Sequence, residues 1–200
     1  MAEAARLAAA GHQLRMSVNI SRYDLVDETL PAYIDRLLAQ HGVPHDQMTL
    51  EITESCLSDD PERSKRSIEK LRAHGIRISI DDFGVGYSSM SQLLELPIDE
   101  LKIDKSFVLA LESDERAHAI ISSAVELARA LELVVVVEGV ELPKTLPLLQ
   151  RLGADVAQGY HISHPLTRNL LDEFLAETHH RHGLEPEAVR AVISPARISP

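Results

Sequence analysis

Short apolar runs alternate with segments of helical periodicity along most of the chain. The apolar runs predict strands over residues 15–21, 48–55, 76–84, 100–107, 133–141 and 155–163. Apolar residues at i, i+3 and i+4 predict helices over 2–10, 61–75, 115–132, 142–153 and 168–180. Gly75 and Gly153 are expected to end two of these helices. Strands that recur about every 20 to 35 residues between helices indicate a parallel sheet covered by helices.

No low-complexity linker divides the body of the chain. We therefore expect one barrel domain over residues 1–178 and a loosely attached C-terminal tail over 179–200, which contains three prolines and no clear periodicity. The tail begins with His-His-Arg-His at 179–182. This stretch could bind a metal, although its composition is more typical of a solvated helix end.

A polar side chain stands at or near the end of each predicted strand, although buried polar groups are costly without partners. The set consists of Asn19, Glu51, Asp81 with Asp82, Lys102, Glu138 and Gln158. Because the carboxyl ends of the strands meet at one rim in a (βα)8 TIM-type barrel, the pattern predicts a shared site in that α/β fold. An open doubly wound sheet usually binds ligands at one switch point. Any single residue of the set could instead be a buried structural group.

The chemistry of this set indicates a metal site. Carboxylate and amide oxygens suit Mg²⁺ or Mn²⁺ better than zinc. A pair of such ions could clamp a phosphodiester and lower the pKa of an attacking water. Lys102 could orient that water or stabilise charge that develops on the phosphate.

Composition excludes several classes of protein. The net charge of −11 argues against a DNA or RNA surface, but a phosphate-bearing small molecule could still bind through a cation. Cys56 is the only cysteine, which excludes an internal disulfide and a cysteine zinc cluster. No apolar run approaches the length of a membrane span, and the N-terminus lacks the pattern of a secretory signal. We therefore expect a cytoplasmic protein with no membrane segment in this chain.

Six stretches of the chain resemble, in order, the motifs of the EAL family of cyclic di-GMP phosphodiesterases. They are SVNIS, LEITES, IDDFGVGYSS, LKIDKSFV, VVVEGVE and QGYHISHPL. The resemblance runs from about residue 8 to 175. It implies a TIM-type barrel that hydrolyses one phosphodiester bond of cyclic di-GMP, gives linear pGpG and uses Mg²⁺ or Mn²⁺, with two ions expected.

The same resemblance implies roles for the polar residues at the strand ends. Asn19, Glu51 and Asp81 correspond to metal ligands, and Asp82 corresponds to the residue at the second metal. Glu138 corresponds to the acid beside the metal-bound water, so it is expected both to bind metal and to take part in catalysis.

Further positions match residues around the family's reaction centre. Lys102 corresponds to the catalytic lysine that helps to position the water, and Gln158 to a glutamine at the base of the site. Glu54 corresponds to the glutamate that anchors the loop after the paired aspartates. That loop is linked in the family to substrate binding and to homodimer formation, and here it includes Phe83, Gly84, Gly86, Tyr87 and Ser88.

The chain also departs from the family pattern. His164 stands where an arginine or lysine is common, and no Glu-Ala-Leu stretch occurs in the 200 residues. That stretch forms an early strand in the family and supplies a metal-binding glutamate. We therefore expect an incomplete barrel of about six βα units that lacks the first strands and one ligand.

Two functional hypotheses follow from this departure. The first is a phosphodiesterase whose activity is impaired in this chain. The second is a catalytically inactive EAL-like module that binds cyclic di-GMP or a partner protein in signalling. A kinase, suggested by Asp-Phe-Gly at 82–84, is disfavoured because the sequence has neither a glycine-rich loop nor a kinase catalytic loop.

Overall fold

A computed structural model describes residues 1–57, 60–85, 90–111 and 113–182, with side chains over the same ranges except 90–92 and 178–182. Six parallel strands form one sheet, and their order in space follows their order in the chain. The strands are β1 (Met16–Asn19), β2 (Met48–Thr53), β3 (Arg77–Phe83), β4 (Glu100–Ile103), β5 (Val134–Val137) and β6 (Val156–Ala157). Among the described strands, β1 and β6 each pair with one neighbour. This curled half-barrel confirms the predicted incomplete TIM-type barrel of six βα units.

Helices connect the strands and pack around the sheet. They are α1 (Ala2–Ala9), α2 (Arg22–Leu25), α3 (Leu30–His41), α4 (Pro61–Ala73), α5 (Met90–Glu95), α6 (Lys105–Ala110), α7 (Glu115–Ala130), α8 (Thr145–Leu152) and α9 (Arg168–His182), with 3-10 turns at His45–Gln47 and Glu54–Leu57. The five predicted helical segments contain α1, α4, α7, α8 and most of α9. In the part of the chain that the structure describes, no helix is long and apolar enough to cross a bilayer.

All six strands are shorter than the sequence pattern predicts, and for two of them local hydrogen bonds explain why. The segment 100–107 leaves the sheet after β4 because the Asp104 carboxylate accepts a hydrogen bond from the Ser106 N–H at 2.9 Å and begins α6. The segment 155–163 forms only the two-residue β6, because the chain then turns and the Gly159 carbonyl accepts hydrogen bonds from Ile162 and Ser163. In the predicted tail, α9 continues to His182, and residues 183–200 lie outside the described residues.

Two aspartates fix the register of the parallel strands. The Asp99 N–H donates to the carbonyl of Ile78, while the Asp99 carboxylate accepts a hydrogen bond from the Ile78 N–H at 2.9 Å. Asp155 makes the same pair of hydrogen bonds to Val135: its N–H donates to the Val135 carbonyl, and its carboxylate accepts from the Val135 N–H at 2.8 Å. Each aspartate stands just before a strand and bonds the preceding strand in the sheet. The carboxyl ends of the strands are therefore held at matching heights.

Successive side chains along each strand point alternately to the hydrophobic core and to the candidate site. Leu50 and Ile52 of β2 are completely or almost completely buried in the main hydrophobic core. Thr49 and Glu51 point to the opposite face of the strand, and both are also buried. The same alternation in β3 and β4 places Ser79, Asp81, Glu100 and Lys102 on that face. The inner face of the half-barrel is therefore polar, and its outer face packs on the helices.

The first and last described helices meet. Leu7 of α1 and Leu14 form a small apolar cluster with Leu171 and Leu175 of α9. Four charged side chains join the same two helices. They are Glu3, Arg6, Arg168 and Asp172, with contacts of 2.6 to 3.1 Å. We call these four residues the α1–α9 clasp.

Candidate active site

A buried lysine lies at the centre of the polar inner face. Lys102 of β4 places its Nζ 2.7 Å from Glu138 Oε1 and 3.0 Å from both Glu51 Oε2 and Asp81 Oδ1. Only 3% of the side-chain surface of Lys102 and of Glu51 is exposed. The three acids come from β2, from β3 and from the residue after β5. The β-sheet register therefore brings together four of the residues that the sequence pattern selected.

The surrounding charges decide the protonation state of Lys102. Burial acts to lower its pKa, but the Glu51, Glu138 and Asp81 carboxylates outweigh burial, and the pKa of Lys102 is raised above its ordinary value. The side chain is therefore held as an ammonium group in a largely dehydrated position. Such a group is a fixed positive charge at the rim of the sheet.

For the carboxylates around Lys102, burial disfavours the charged form. Burial raises the pKa of Glu51 and Glu138 above the ordinary glutamate value, and Lys102 only partly offsets this effect. The neighbouring Asp81 raises both pKa values further. The pKa of Asp82 is also raised, first by burial and then by Asp81. These acids repel one another and favour an additional cation.

Asp81, Asp82 and Glu138 form a compact group of oxygen donors. One carboxylate oxygen from each residue lies within 4.8 Å of the others. Consecutive residues on a regular strand point to opposite faces, so the convergence of Asp81 and Asp82 requires a distortion. Asp82 has a positive φ of 57°, and the pairing of β3 with β4 shifts register between Ile80 and Phe83. The distortion turns both aspartates toward one site.

This group has the chemistry that a divalent cation requires. Its donors are hard carboxylate oxygens, which suit Mg²⁺, Mn²⁺ or Ca²⁺. Glu51 Oε1 is buried and has no hydrogen-bond partner of acceptable geometry among the described residues. Of the four carboxylates, those of Glu51, Asp81 and Glu138 contact the Lys102 ammonium group, and Asp82 feels the charges of Lys102 and Lys105. The site is therefore short of positive charge, and its residues fit a divalent metal.

The structure places the two predicted amides at opposite ends of the sheet. Asn19 ends β1 opposite Glu51 in the parallel register, and its side chain is exposed. Gln158 follows β6, where its backbone N–H donates to the Val137 carbonyl at 2.8 Å. The Gln158 Oε1 atom is buried without a hydrogen-bond partner in the described part of the chain. Both amides therefore lie at the rim that holds the acids.

A hydrogen bond to Glu54 anchors the loop after β3. The Gly84 N–H donates to Glu54 Oε2 at 3.4 Å, so Glu54 contacts the start of the loop. Gly84 has a φ of 96°, and a Cβ there would lie 2.9 Å from the Phe107 ring, which explains the need for glycine. Phe83 ends β3 and pairs with Ile103. The other predicted loop residues, Gly86, Tyr87 and Ser88, lie outside the described residues.

Sequence reasoning missed one acid near the site. The charge of Asp104 contributes to the raised pKa of Asp82, so the two carboxylates are close enough to interact. Asp104 also caps α6. The sequence contains a signal for it, because Asp104 lies two positions after Lys102 and is also a polar residue near the end of that strand.

A glycine lets the loops after β4 and β5 approach each other. A Cβ on Gly139 would lie 2.4 Å from the Lys105 Cβ, and Gly139 has a φ of 72°. Lys105 acts against the rise in the pKa of Asp82. Gly139 therefore brings a second cation toward the acidic group, directly after Glu138.

Comparisons with known proteins agree with this geometry. The family model described as "EAL domain" matches residues 1–165. Over 167 residues the chain is 38% identical to cyclic di-GMP phosphodiesterase NbdA of Pseudomonas aeruginosa, and the match covers 83% of this chain and 21% of NbdA. The chain spans about a fifth of the length of the first curated relatives that it matches.

Solved structures show the same fold. The PaMucR phosphodiesterase in complex with c-di-GMP is 36% identical with a TM-score of 0.80, over 84% of this chain and 69% of that chain. Klebsiella pneumoniae BlrP1, in a complex with manganese and c-di-GMP, is 29% identical with a TM-score of 0.73, over 80% of this chain and 40% of that chain. A calcium and c-di-GMP complex of BlrP1 has the same TM-score at 28% identity, over 80% of this chain and 40% of that chain. The chain belongs to the EAL domain family.

Proposed function

We propose that this protein is a cyclic di-GMP phosphodiesterase, a hydrolase that opens one phosphodiester bond and gives linear pGpG. The observation that carries the proposal is the buried Lys102 ammonium group within 3.0 Å of three carboxylates at the rim of an EAL-family sheet. The name of NbdA and the ligand of PaMucR support cyclic di-GMP as the substrate.

Divalent ions, Mg²⁺ or Mn²⁺, complete the proposed site. Asp81, Asp82 and Glu138 would hold one ion, and Glu51 with Asn19 would contribute to a second. When bound, such ions polarise phosphate oxygens and make water acidic enough to supply hydroxide near neutral pH. The manganese complex of BlrP1 supports this choice of metal.

The chain's own residues provide the remaining functions. The ammonium group of Lys102 attracts the phosphate and orients the attacking water. Glu138 Oε1 lies 2.7 Å from Lys102 Nζ, so Glu138 holds the lysine in place and accepts the proton that the water loses.

Residues around the acids position the substrate in this proposal. The unpartnered Gln158 Oε1 offers an acceptor at the base of the site. Glu54 anchors the loop after Asp82 through Gly84. The proposal also includes homodimer formation through this loop region and a cytoplasmic location, which the single Cys56 supports because paired cysteines are typical of oxidising compartments.

The proposed activity of the 200-residue chain alone is weak. Within the described residues, β1 and β6 present unpaired edges, and the 200 residues contain no Glu-Ala-Leu stretch to supply a further ligand. Fewer ligands weaken metal binding and leave the attacking water less well activated. A second candidate function, a module that binds cyclic di-GMP without hydrolysis, is favoured by the same open edges.

Product analysis separates these two functions. The purified chain is incubated with cyclic di-GMP and Mn²⁺, and linear pGpG is measured by chromatography. We expect slow formation of pGpG that is lost in Glu138→Gln and retained in Glu141→Gln, a control at an exposed glutamate three residues away. Binding of the nucleotide without any product supports the non-catalytic module. Turnover that survives Glu138→Gln contradicts the proposed role of this acid.

A further inference from the structure

The ion pair between Glu51 and Lys102 crosses the inner face of the sheet above β3. Glu51 lies on β2 and Lys102 on β4, and their charged groups are 3.0 Å apart although β3 runs between the two strands. In the parallel register, the β3 residue opposite Glu51 is Ser79. Ser79 therefore lies where the glutamate side chain passes over β3.

Ser79 combines a small side chain with complete burial. Its neighbours Ile78 and Ile80 are 0% exposed and pack in the hydrophobic core, so the alternation along the strand turns Ser79 to the inner face. Ser79 is also 0% exposed. A small residue leaves room for the ion pair above it, but alanine would leave the same room. The hydroxyl group of Ser79 therefore needs a separate explanation.

The Ser79 hydroxyl has no hydrogen-bond partner in the part of the chain that the structure describes. Its Oγ atom is buried there without a bond. A buried hydroxyl group without a bond loses its hydration and gains nothing in return. Such groups in folded proteins are normally bonded to the protein or to an ordered water. A partner for this hydroxyl is therefore expected on the inner face of the sheet.

Glu51 offers a matching acceptor. Its Oε2 atom contacts Lys102, whereas its Oε1 atom is buried and has no hydrogen-bond partner of acceptable geometry among the described residues. Neighbouring strands are about 4.8 Å apart, so one water can bond groups on paired residues of the same face. Thr49, two residues before Glu51 on that face, adds a third buried oxygen without a partner in the described ranges. The surroundings are therefore polar enough to hold a buried water.

We propose that Ser79 is a positioning residue for Glu51, and that one ordered water joins the Ser79 hydroxyl to Glu51 Oε1. The water fixes the rotation of the carboxylate, whose other oxygen is held by Lys102. A carboxylate oxygen has two lone pairs, so Oε1 can accept this hydrogen bond and still face a divalent ion. The inference rests on the proposed function, because it concerns Glu51 as a metal ligand.

Binding of Mn²⁺ to the nucleotide-free 200-residue chain tests this role without turnover. Electron paramagnetic resonance of the free ion gives the number and the affinity of bound Mn²⁺ ions. Glu51→Gln identifies the binding step that depends on Glu51, and Ser79→Ala should weaken that same step on the order of tenfold, as expected when the partner of a metal ligand is removed. Ser64→Ala removes a buried hydroxyl on α4 that also has no partner in the described residues, and this control should bind Mn²⁺ as wild type does.

A second pair of variants separates the hydroxyl group from the size of the residue. Ser79→Thr and Ser79→Val have side chains of nearly equal size, and only threonine keeps the hydroxyl. We expect Ser79→Thr to bind Mn²⁺ more tightly than Ser79→Val, in the same direction as wild type against Ser79→Ala. A crystal structure of the wild-type chain should show a water bonded to Ser79 Oγ and Glu51 Oε1, and this water should be lost in Ser79→Ala.

The outcomes separate this inference from the proposed function. If wild type binds Mn²⁺ and Ser79→Ala binds it as tightly as Ser64→Ala does, the role of Ser79 is overturned and the proposed function stands. Equal affinities of Ser79→Thr and Ser79→Val also overturn this role, because the effect then depends on size alone. If wild type binds no Mn²⁺, both are overturned. If Ser79→Ala weakens the step that depends on Glu51 while wild type forms no pGpG, the role of Ser79 stands and the phosphodiesterase is overturned.

Discussion

Lys102 Nζ lies 2.7 Å from Glu138 Oε1, and this contact joins β4 to the residue that follows β5. The same nitrogen reaches Glu51 on β2 and Asp81 on β3 at 3.0 Å. One ammonium group therefore links acids from three other parts of the sheet. It stabilises the fold by neutralising buried negative charge. In the proposed mechanism it also attracts the phosphate and orients the attacking water.

Removal of this cation should destabilise the fold. In metal-free buffer we expect Lys102→Met to lower the free energy of unfolding by roughly 3 kcal/mol, because the buried Glu51 loses its charged partner. Denaturation with urea measures the change. Lys70→Met, at an exposed lysine of α4, should have little effect, and addition of Glu51→Gln to Lys102→Met should recover part of the loss. Equal stability of the two lysine variants would contradict this account.

The acids should make the metal-free fold less stable at high pH. Because burial raises the pKa of Glu138 above its ordinary 4.5, its contribution to stability is present below pH 4.5 and is lost as the pH rises through the folded-state value. Glu138→Gln stays neutral at every pH. We therefore expect Glu138→Gln to be more stable than wild type at pH 8, with a higher Tm.

Thermal melts in EDTA at pH 8 and pH 4 test the direction of this stability difference between Glu138→Gln and wild type. The advantage of Glu138→Gln should shrink at pH 4, where the wild-type carboxyl group also becomes protonated. Glu141→Gln, which changes an exposed carboxylate, controls for the general change in net charge. An advantage that is equal or larger at pH 4 contradicts the account.

A divalent ion should stabilise the protein through the same acids. Mn²⁺ at a hundred times its dissociation constant should add about 2.7 kcal/mol to the free energy of unfolding. Asp82→Asn should lose most of this effect, whereas Asp46→Asn, at an exposed aspartate far from the rim, should keep it. Differential scanning fluorimetry over a Mn²⁺ titration gives the comparison. Equal Mn²⁺ responses in the two variants would place the ion elsewhere.

The α1–α9 clasp should control how firmly α9 is attached. Arg6 contacts both Glu3 on its own helix and Asp172 on α9, so Arg6→Ala removes the central contact of the clasp. We expect faster hydrogen exchange in α9 of this variant and little change in β3 or β4. High salt should produce a smaller change of the same kind in wild type, because it screens exposed ion pairs. Unchanged exchange in α9 would show that Leu171 and Leu175 hold the helix without the clasp.

The local pattern of the sequence predicts the six strands, and it selects the four residues whose side chains meet at Lys102. Period-two alternation places Glu51, Asp81 and Lys102 on one face, and the parallel arrangement brings their strand ends together. The pattern also selects Glu138. These features depend on spacing within short segments, which is why the sequence contains enough information to predict them.

Other features depend on contacts between distant residues or on backbone geometry. The convergence of Asp81 and Asp82 arises from a positive φ at Asp82, which no residue pattern indicates for an aspartate. Arg6 and Asp172 are separated by 166 positions in sequence, so their contact has no local signal. The end of β4 was predicted too late because the apolar pattern continues into α6, where the cap formed by Asp104 overrides it.

The proposed function requires that the acids around Lys102 bind a phosphodiester through a divalent ion. Equilibrium binding of cyclic di-GMP to the 200-residue chain, measured with Mn²⁺ and again in EDTA, tests it most directly because it does not require turnover. We predict binding that depends on Mn²⁺, is lost in Asp82→Asn and is retained in Asp46→Asn. Binding that is equally strong in EDTA, or that survives Asp82→Asn unchanged, would contradict the claim.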